Sequence, residues 1–195
     1  MKALITGVAG FVGPYLKREL EQNGVTVVGM DIADAEITAN LLNAQDVVKT
    51  INKVVPDYVF HLAGQSSVGQ SWGNPQKTVE INVIGTLNLL DAIRDAHRDI
   101  RAIVVGSSDE YGRVEPQDCP IIESAKLNPV NPYAVSKVMQ EQMALLYQKA
   151  YQLDIVATRS FNHTGPGQKT GFVIPDFASQ IYNMEKNRQH EMYVG

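Results

Sequence analysis

The sequence predicts an α/β protein built on a doubly wound parallel sheet, and three observations predict it. Short apolar runs of five to seven residues alternate with longer amphipathic segments, a glycine-rich turn follows the first run, and an acid follows the second. Parallel strands are buried on both faces, so they read as near-continuous apolar runs rather than as alternating ones. "KALIT" (2–6), "VTVVGM" (25–30), "DYVFHL" (57–62), "RAIVVG" (101–106) and "LDIVATR" (153–159) meet that description. Helical periodicity fills the intervals at about 11–23, 44–54, 76–98 and 132–151. Strand and helix alternating in this way cover both faces of one sheet.

The punctuation agrees with these elements. Pro14 is tolerated in a first helical turn, while Asn131 and Pro132 are a good N-cap and first helical residue, which fixes the start of the helix at 132. The segment 113–132 is long for a connection inside a compact domain, and loops of that length are functional or mobile; it is expected to cross the active-site edge. After "FNHTGPGQKTGF" a helix is expected at about 174–187, followed by "HEMYVG" as the beginning of a strand. The organisation expected is a dinucleotide-binding domain over 1–165 and, over 166–195, the start of a substrate lobe that is cut short.

Composition limits the function classes. With 195 residues, a formal net charge of −4 and 44% hydrophobic residues, the chain lacks the basic excess of a nucleic-acid binder. A single cysteine, Cys119, rules out an internal disulfide and a cysteine metal cluster, and fits a reducing cytoplasm. "MKALITG" is too short for a signal-peptide core, and no apolar stretch approaches membrane-spanning length. No arrangement of histidines and acids has metal-ligand spacing, so no metal is expected.

Ligands of open α/β sheets collect at the carboxyl ends of the strands. After the first strand stands "GVAGFVG", in which Gly7, Gly10 and Gly13 allow backbone amides and a helix N-terminus to meet a phosphate. Asp31 lies 18 residues past Gly13, close to the spacing of a ribose-binding acid. "GMDIADAEI" carries Asp31, Asp34 and Glu36 and no lysine or arginine, so a 2′-phosphate is expected to be disfavoured: NAD(H) over NADP(H), with NADP(H) still possible. "NPYAVSK" then sets Tyr133 and Lys137 one turn apart on one helix face. A neighbouring ammonium lowers a phenol's pKa, so Tyr133 is expected to exchange a proton with a substrate oxygen while Lys137 tunes it and holds the nicotinamide ribose. His61 ends a strand and is read as a packed core histidine. Ala63 and Gly64 make room for the cofactor, Asn82 braces a loop from inside a helix, and Trp72 either packs or stacks on substrate.

Together "GVAGFVG", "HLAG", "GSSDEYG" and "PYAVSK" resemble the extended short-chain dehydrogenase/reductases that act on nucleotide sugars, along the whole chain. "HLAGQSSVGQSW" and "FNHTGPGQ" are most similar to the GDP-6-deoxy-D-mannose reductases. The resemblance implies a Rossmann fold and reduction of the 4-keto group of GDP-4-dehydro-6-deoxy-D-mannose to GDP-D-rhamnose. It implies a Ser, Tyr, Lys triad of Ser107, Tyr133 and Lys137. The cofactor site is expected to comprise Gly7, Gly10, Phe11, Val12, Gly13, Asp31, Ile32, Asn40, Leu41, Leu62, Ala63 and Gly64 with Tyr133 and Lys137. The sugar nucleotide is expected at Gln65, Ser66, Ser67, Ser108, Asp109 and Asn162. Glu110 is read as a solvated or hydrogen-bonded acid.

Sugar-nucleotide 4,6-dehydratases and epimerases share most of these motifs. The dehydratases carry a threonine where Ser107 stands and a proton-abstracting glutamate two residues on, at the position of Asp109, which is one methylene shorter. A non-catalytic dinucleotide sensor on the same fold, or an inactive fragment, are the other readings. Apolar residues on more than one face of the helices at 76–98 and 132–151 lead to a homodimer joined by a four-helix bundle, as in relatives.

Overall fold

The structure, a computed structural model, describes residues 1–188 and 190–194. Among them the strands are β1 (Lys2–Thr6), β2 (Thr26–Asp31), β3 (Ile37–Thr38), β4 (Tyr58–His61), β5 (Arg101–Ser107) and β6 (Asp154–Ser160). All pair in parallel in one six-stranded sheet of order β3-β2-β1-β4-β5-β6. The order reverses between β1 and β4, which is where such sheets open a crevice for ligands. The helices are α1 (Gly13–Gln22), α2 (Ala44–Val54), α3 (Val68–Gly73), α4 (Pro75–Val79), α5 (Gly85–Asp95), α6 (Pro132–Tyr151) and α7 (Val173–Glu185). The chain divides into two compact units, Met1–Phe161 and Asn162–Gly195.

The apolar runs form strands because both of their faces are covered. Leu4, Val59, Ala102, Val104 and Ile155 face a core closed by Val47 and Ile51 of α2, Leu89, Leu90 and Ile93 of α5 and Ala144 of α6. Ala3, Ile5 and Val27 face the other side, where Leu16 and Leu20 of α1 pack. Neighbouring residues of β1 thus serve opposite cores, and at about 1.5–3 kcal/mol for each large side chain fully buried these two layers dominate the unit's stability.

Three expectations change. The pattern at 76–98 is not one helix: α4 and α5 are joined by a π-helical turn over Glu80–Ile84, in which the Gly85 amide bonds back to the Glu80 carbonyl. The short elements β3 and α3 escape detection because two strand residues and a six-residue helix are too brief to display a period. Over 190–194 "HEMYV" forms no strand, since it has no ladder partner. Its backbone is instead satisfied by a side chain: the Tyr193 amide donates to Gln180 Oε1 at 2.6 Å and Gln180 Nε2 donates to the Tyr193 carbonyl at 3.0 Å. The end of that expected strand, Gly195, lies outside the described residues.

Among the described residues no helix is long and apolar enough to cross a membrane, and no group of three or more His, Cys, Asp or Glu side chains could hold a metal ion.

Candidate active site

The carboxyl ends of β1, β2, β4 and β5 and the first turns of α1 and α6 carry nearly every residue singled out in the sequence. After β1 the chain turns through Gly7, whose φ of +76° suits glycine, and a Cβ there would stand 2.6 Å from the Ala63 amide nitrogen. Gly13 opens α1 directly against the backbone of Val8, which a side chain would prevent. Gly10 closes the turn by donating its amide to the Gly7 carbonyl at 3.0 Å. A loop free of side chains at a helix N-terminus is the cradle that a pyrophosphate requires, so these residues fit a dinucleotide.

Asp31 ends β2 and ties the two strand ends together. Its Oδ2 accepts from the Ala9 amide at 3.0 Å and its Oδ1 from the Ile32 amide at 2.7 Å. Glu36 is not an uncompensated acid as its neighbours in sequence implied: Lys17 of α1 pairs with it, and Glu36 Oε2 accepts the Gly29 amide at 2.9 Å. The Lys17 hydrogen bond outweighs burial and holds the Glu36 carboxyl below its ordinary pKa. The fold therefore brings a cation to the acidic stretch that the local sequence does not contain.

The remaining residues expected around the cofactor divide by environment. Phe11 packs edge-to-face on Tyr15, and Val12 caps α1. Ile32 is exposed, and Asn40 turns its Oδ1 to the Leu42 amide at 2.9 Å. Leu41 differs, because its side chain belongs to the core beneath α5. Leu62 and Ala63 continue from β4, with the Leu62 amide bonded to the Thr6 carbonyl at 3.1 Å.

The next loop is held from below. Asn82, fully buried in the π-helical turn, accepts the Gln65 amide at 2.7 Å and donates to the Gln65 carbonyl at 3.0 Å and to Ser136 Oγ at 2.9 Å. Gln65 in turn donates to the Ser67 carbonyl at 2.8 Å, while its own Oε1 is buried without a partner. Ser67 caps α3, accepting the Gln70 amide at 3.3 Å, and Ser66 is exposed. Trp72 is 65% exposed, which excludes a role in the core of this unit. His61 is buried between Thr6 Oγ1 at 2.7 Å and Thr86 Oγ1 at 2.8 Å. Burial pushes its pKa down to about 3, so it is a neutral core residue.

At the end of β5, Ser107 is buried and N-caps a 3₁₀ turn over Ser108–Tyr111, with its Oγ accepting the Asp109 amide at 3.2 Å. Ser108 and Asp109 are half-buried on that turn. Tyr133, in the first turn of α6, hydrogen-bonds Ser107, which favours the phenolate, but burial outweighs it and Asp109 and Glu110 add repulsion. The pKa of Tyr133 is therefore raised, not lowered. The Lys137 ammonium is turned to other partners: Nζ donates to the Val105 carbonyl at 2.9 Å and to Gln140 Oε1 at 2.8 Å. Burial brings the pKa of Lys137 down to about 8. A phenol that keeps its proton, a serine hydroxyl beside it and a buried amine one turn along the helix can deliver a proton to an oxygen held between them.

Beneath the triad, Glu110 is the hydrogen-bonded rather than the solvated acid of the two expected: it is fully buried, and its Oε1 accepts the Ser107 amide at 2.8 Å. Arg159 of β6 reaches it at 3.8 Å, forks onto Glu141 of α6 at 2.7 and 2.6 Å, and donates to the Tyr111 hydroxyl at 3.0 Å and the Glu123 carbonyl at 2.8 Å. This ties the long 113–131 connection to the site's edge. Sequence reasoning passed over Glu141 and Arg159, although two signals were present. Arg159 stands near the end of a strand whose middle, Ile155, Val156 and Ala157, is apolar, and Glu141 continues the four-residue spacing of Tyr133 and Lys137. Asn162 follows β6 at the start of the second unit, where it is exposed.

The family model described as GDP-mannose 4,6 dehydratase matches residues 4–195. The chain is 35% identical, over 96% of its length, to a GDP-6-deoxy-D-mannose reductase of Pseudomonas aeruginosa, of which it covers 60%. The solved structure of RMD from Pseudomonas aeruginosa, complexed with NADPH, superposes with a TM-score of 0.87 at 34% identity, covering 97% of this chain and 64% of that one. That of DesIV, a dTDP-glucose 4,6-dehydratase from Streptomyces venezuelae with NAD and TYD bound, gives a TM-score of 0.86 at 27% identity, covering 94% of this chain and 63% of that one. The chain thus spans about three fifths of the length of these relatives. The match over residues 4–195, the six-stranded parallel sheet and the glycine turn ahead of α1 lead to one conclusion: the chain belongs to the GDP-mannose 4,6-dehydratase family of nucleotide-sugar enzymes.

Proposed function

We propose that the chain is the cofactor-binding part of a nucleotide-sugar reductase that converts the 4-keto group of GDP-4-dehydro-6-deoxy-D-mannose to the alcohol of GDP-D-rhamnose. The observation that carries this reading is the arrangement at the start of α6, where Tyr133 hydrogen-bonds Ser107 and the buried Lys137 lies one helical turn on. The phenol is a proton donor near neutral pH, and reduction of a ketone consumes a proton. Bound NAD(P)H supplies the hydride. Gly7, Gly10 and Gly13 would receive the pyrophosphate, Asp31 the adenosine ribose, and Lys137 the nicotinamide ribose. The Ser107 hydroxyl would donate a hydrogen bond to the sugar's C4 oxygen, fixing the carbonyl. Tyr133 would then give its proton to that oxygen as the new C–H bond forms, and Lys137 would assist its reprotonation. Gln65, Ser66, Ser67, Ser108, Asp109 and Asn162 are the side chains proposed for the sugar nucleotide. NAD(H) is the proposed cofactor on account of Asp31, with Lys17 near enough to the acidic stretch to keep NADP(H) open.

Dehydration is the second reading, favoured by the description of the matching family model. Asp109 speaks against it: at the proton-abstracting position its carboxylate is about one ångström short, and displacement on that scale costs about 100-fold in rate. A homodimer built on the two long helical segments belongs to the same proposal, supported by the exposure of Val135, Met139 and Leu146 on α6 and Ile84 before α5. Sedimentation as a monomer at micromolar concentration would remove it. The main experiment offers the protein NADH or NADPH with GDP-4-dehydro-6-deoxy-D-mannose and, separately, the oxidised cofactors with GDP-mannose. Consumption of reduced cofactor in the first supports reduction, and a keto sugar in the second supports dehydration. Tyr133→Phe should abolish the first while cofactor binding persists; normal turnover by that variant would sink the mechanism.

A further inference from the structure

We infer that Glu110 is the positioning residue of the Ser107 hydroxyl, a buried carboxyl that shares a proton with Glu141 across the common counter-ion Arg159 and fixes the serine through its backbone amide. Only the use made of that hydroxyl rests on the reductase reading.

The geometry assigns the proton. Two carboxylates meet one guanidinium, and the guanidinium is committed to one of them: Arg159 binds Glu141 through Nε at 2.7 Å and Nη2 at 2.6 Å and approaches Glu110 Oε2 only to 3.8 Å. Oε2 of Glu110 has no hydrogen-bond donor, and the residue is fully buried. A carboxylate in that position would leave a charge desolvated and an acceptor unmatched, which is among the costliest arrangements in a protein interior. A proton on Oε2 removes both penalties, because the oxygen becomes a donor toward the Glu141 carboxylate. Burial and the Glu141 charge act in the same sense on Glu110, raising its pKa to about 7 despite the opposing Ser107 amide and Arg159.

The other oxygen connects this proton to the site. Oε1 accepts the Ser107 amide at 2.8 Å while Ser107 Oγ accepts the Asp109 amide, a reciprocal capping box closed over two residues of the reaction site. The groups facing Glu110 are Arg159 on β6, Glu141, Lys137 and Tyr133 on α6, and Asp109 and Tyr111 on its own turn. Loss of the shared proton would set two carboxylates against one cation. The turn carrying Glu110 can relieve that repulsion only by moving the Ser107 amide with it.

The test is a pH titration of the ¹⁵N-labelled protein, read at the Ser107 amide. Its chemical shift should move through one inflection near the value of about 7 set for Glu110, and the inflection should vanish in Glu110→Gln. Glutamine keeps the acceptor for the Ser107 amide and replaces the acid proton by an amide donor, so it copies the protonated state at every pH. A Ser107 amide that ignores pH across this range, or the same inflection in Glu110→Gln, would overturn the inference. In turnover, kcat should fall as pH rises through the inflection while KM for the cofactor stays constant. Glu110→Gln should flatten that profile, and Glu110→Ala should lower kcat at least tenfold. Rescue by alanine as complete as by glutamine counts against the positioning role. A titrating amide in a protein that does not reduce the keto sugar would refute the reductase reading and leave the shared proton standing.

Discussion

Replacing Asn82 by alanine should separate the loop that carries the sugar-contacting residues from the scaffold that holds it. Asn82 is fully buried and makes three hydrogen bonds, two to the backbone of Gln65 and one to Ser136 Oγ. Ser136 keeps a partner after truncation, since its hydroxyl still donates to the Tyr133 carbonyl at 2.6 Å. The Gln65 amide and carbonyl would each lose theirs, and an unsatisfied buried polar group costs about 1–3 kcal/mol. The two together give about 2–6 kcal/mol, with the lower end expected if water enters the space vacated. Denaturant unfolding of Asn82→Ala against the parent protein measures the loss. Turnover should show KM for the keto sugar rising several-fold, because Gln65–Ser67 would lose its register, while cofactor affinity changes little. A loss below about 1 kcal/mol would refute the hydrogen-bond accounting. Full destabilisation with unchanged substrate KM would refute the link from Asn82 to the sugar.

Three further outcomes are expected. Gly7→Ala combines a left-handed backbone, at about 1–2 kcal/mol, with overpacking against Ala63, at about 1–3 kcal/mol, so unfolding should show a loss of about 2–5 kcal/mol and cofactor titration a weaker affinity. His61 has a folded pKa near 3, below its unfolded value, so its contribution is present above about pH 6.5 and is lost as pH falls, at up to about 1.4 kcal/mol per pH unit. Glu110 works in the opposite sense over about pH 4.5 to 7, its raised pKa favouring the fold as pH falls. The His61 effect is therefore read as the difference between parent and His61→Gln in unfolding experiments from pH 7 to about pH 5, and a constant difference would count against it. Asp31→Ser should shift the ratio of NADPH to NADH affinity toward NADPH, measured by fluorescence titration; an unchanged ratio would remove Asp31 as the selecting residue.

How much of this could be read from the sequence depends on how local the cause is. β1 and α6 occur over the expected residues because their signals are local, an apolar run ending in glycine and the cap at Asn131 and Pro132. Tyr133 was found because four-residue spacing along a helix is written in the sequence, but its raised pKa was not. That depends on where the Lys137 ammonium points, and the Val105 carbonyl of β5, far off in sequence, decides it together with Gln140. Lys17 and Glu36 show the same limit, since only the crossing of α1 over β2 makes them a pair. Whether Glu110 was solvated or hydrogen-bonded stayed open in the sequence because one of the groups that decides it, Arg159 of β6, lies far along the chain.

The π-helical turn at Glu80–Ile84 has a consequence for how this segment tolerates change. One residue more than an α-helix needs shifts the angular phase of all that follows by about 100°. The segment before the turn and the segment after it therefore present their side chains in different directions, and Asn82 can look into the site while Leu89, Leu90 and Ile93 look into the core. Removing a single residue here would let the helix run on regularly and rotate one set away from its target. The segment should accept substitutions at its exposed positions more readily than any change in its length, and insertion–deletion scanning across 80–84 would reveal it as a phase-setting element, where spacing counts for more than side-chain identity.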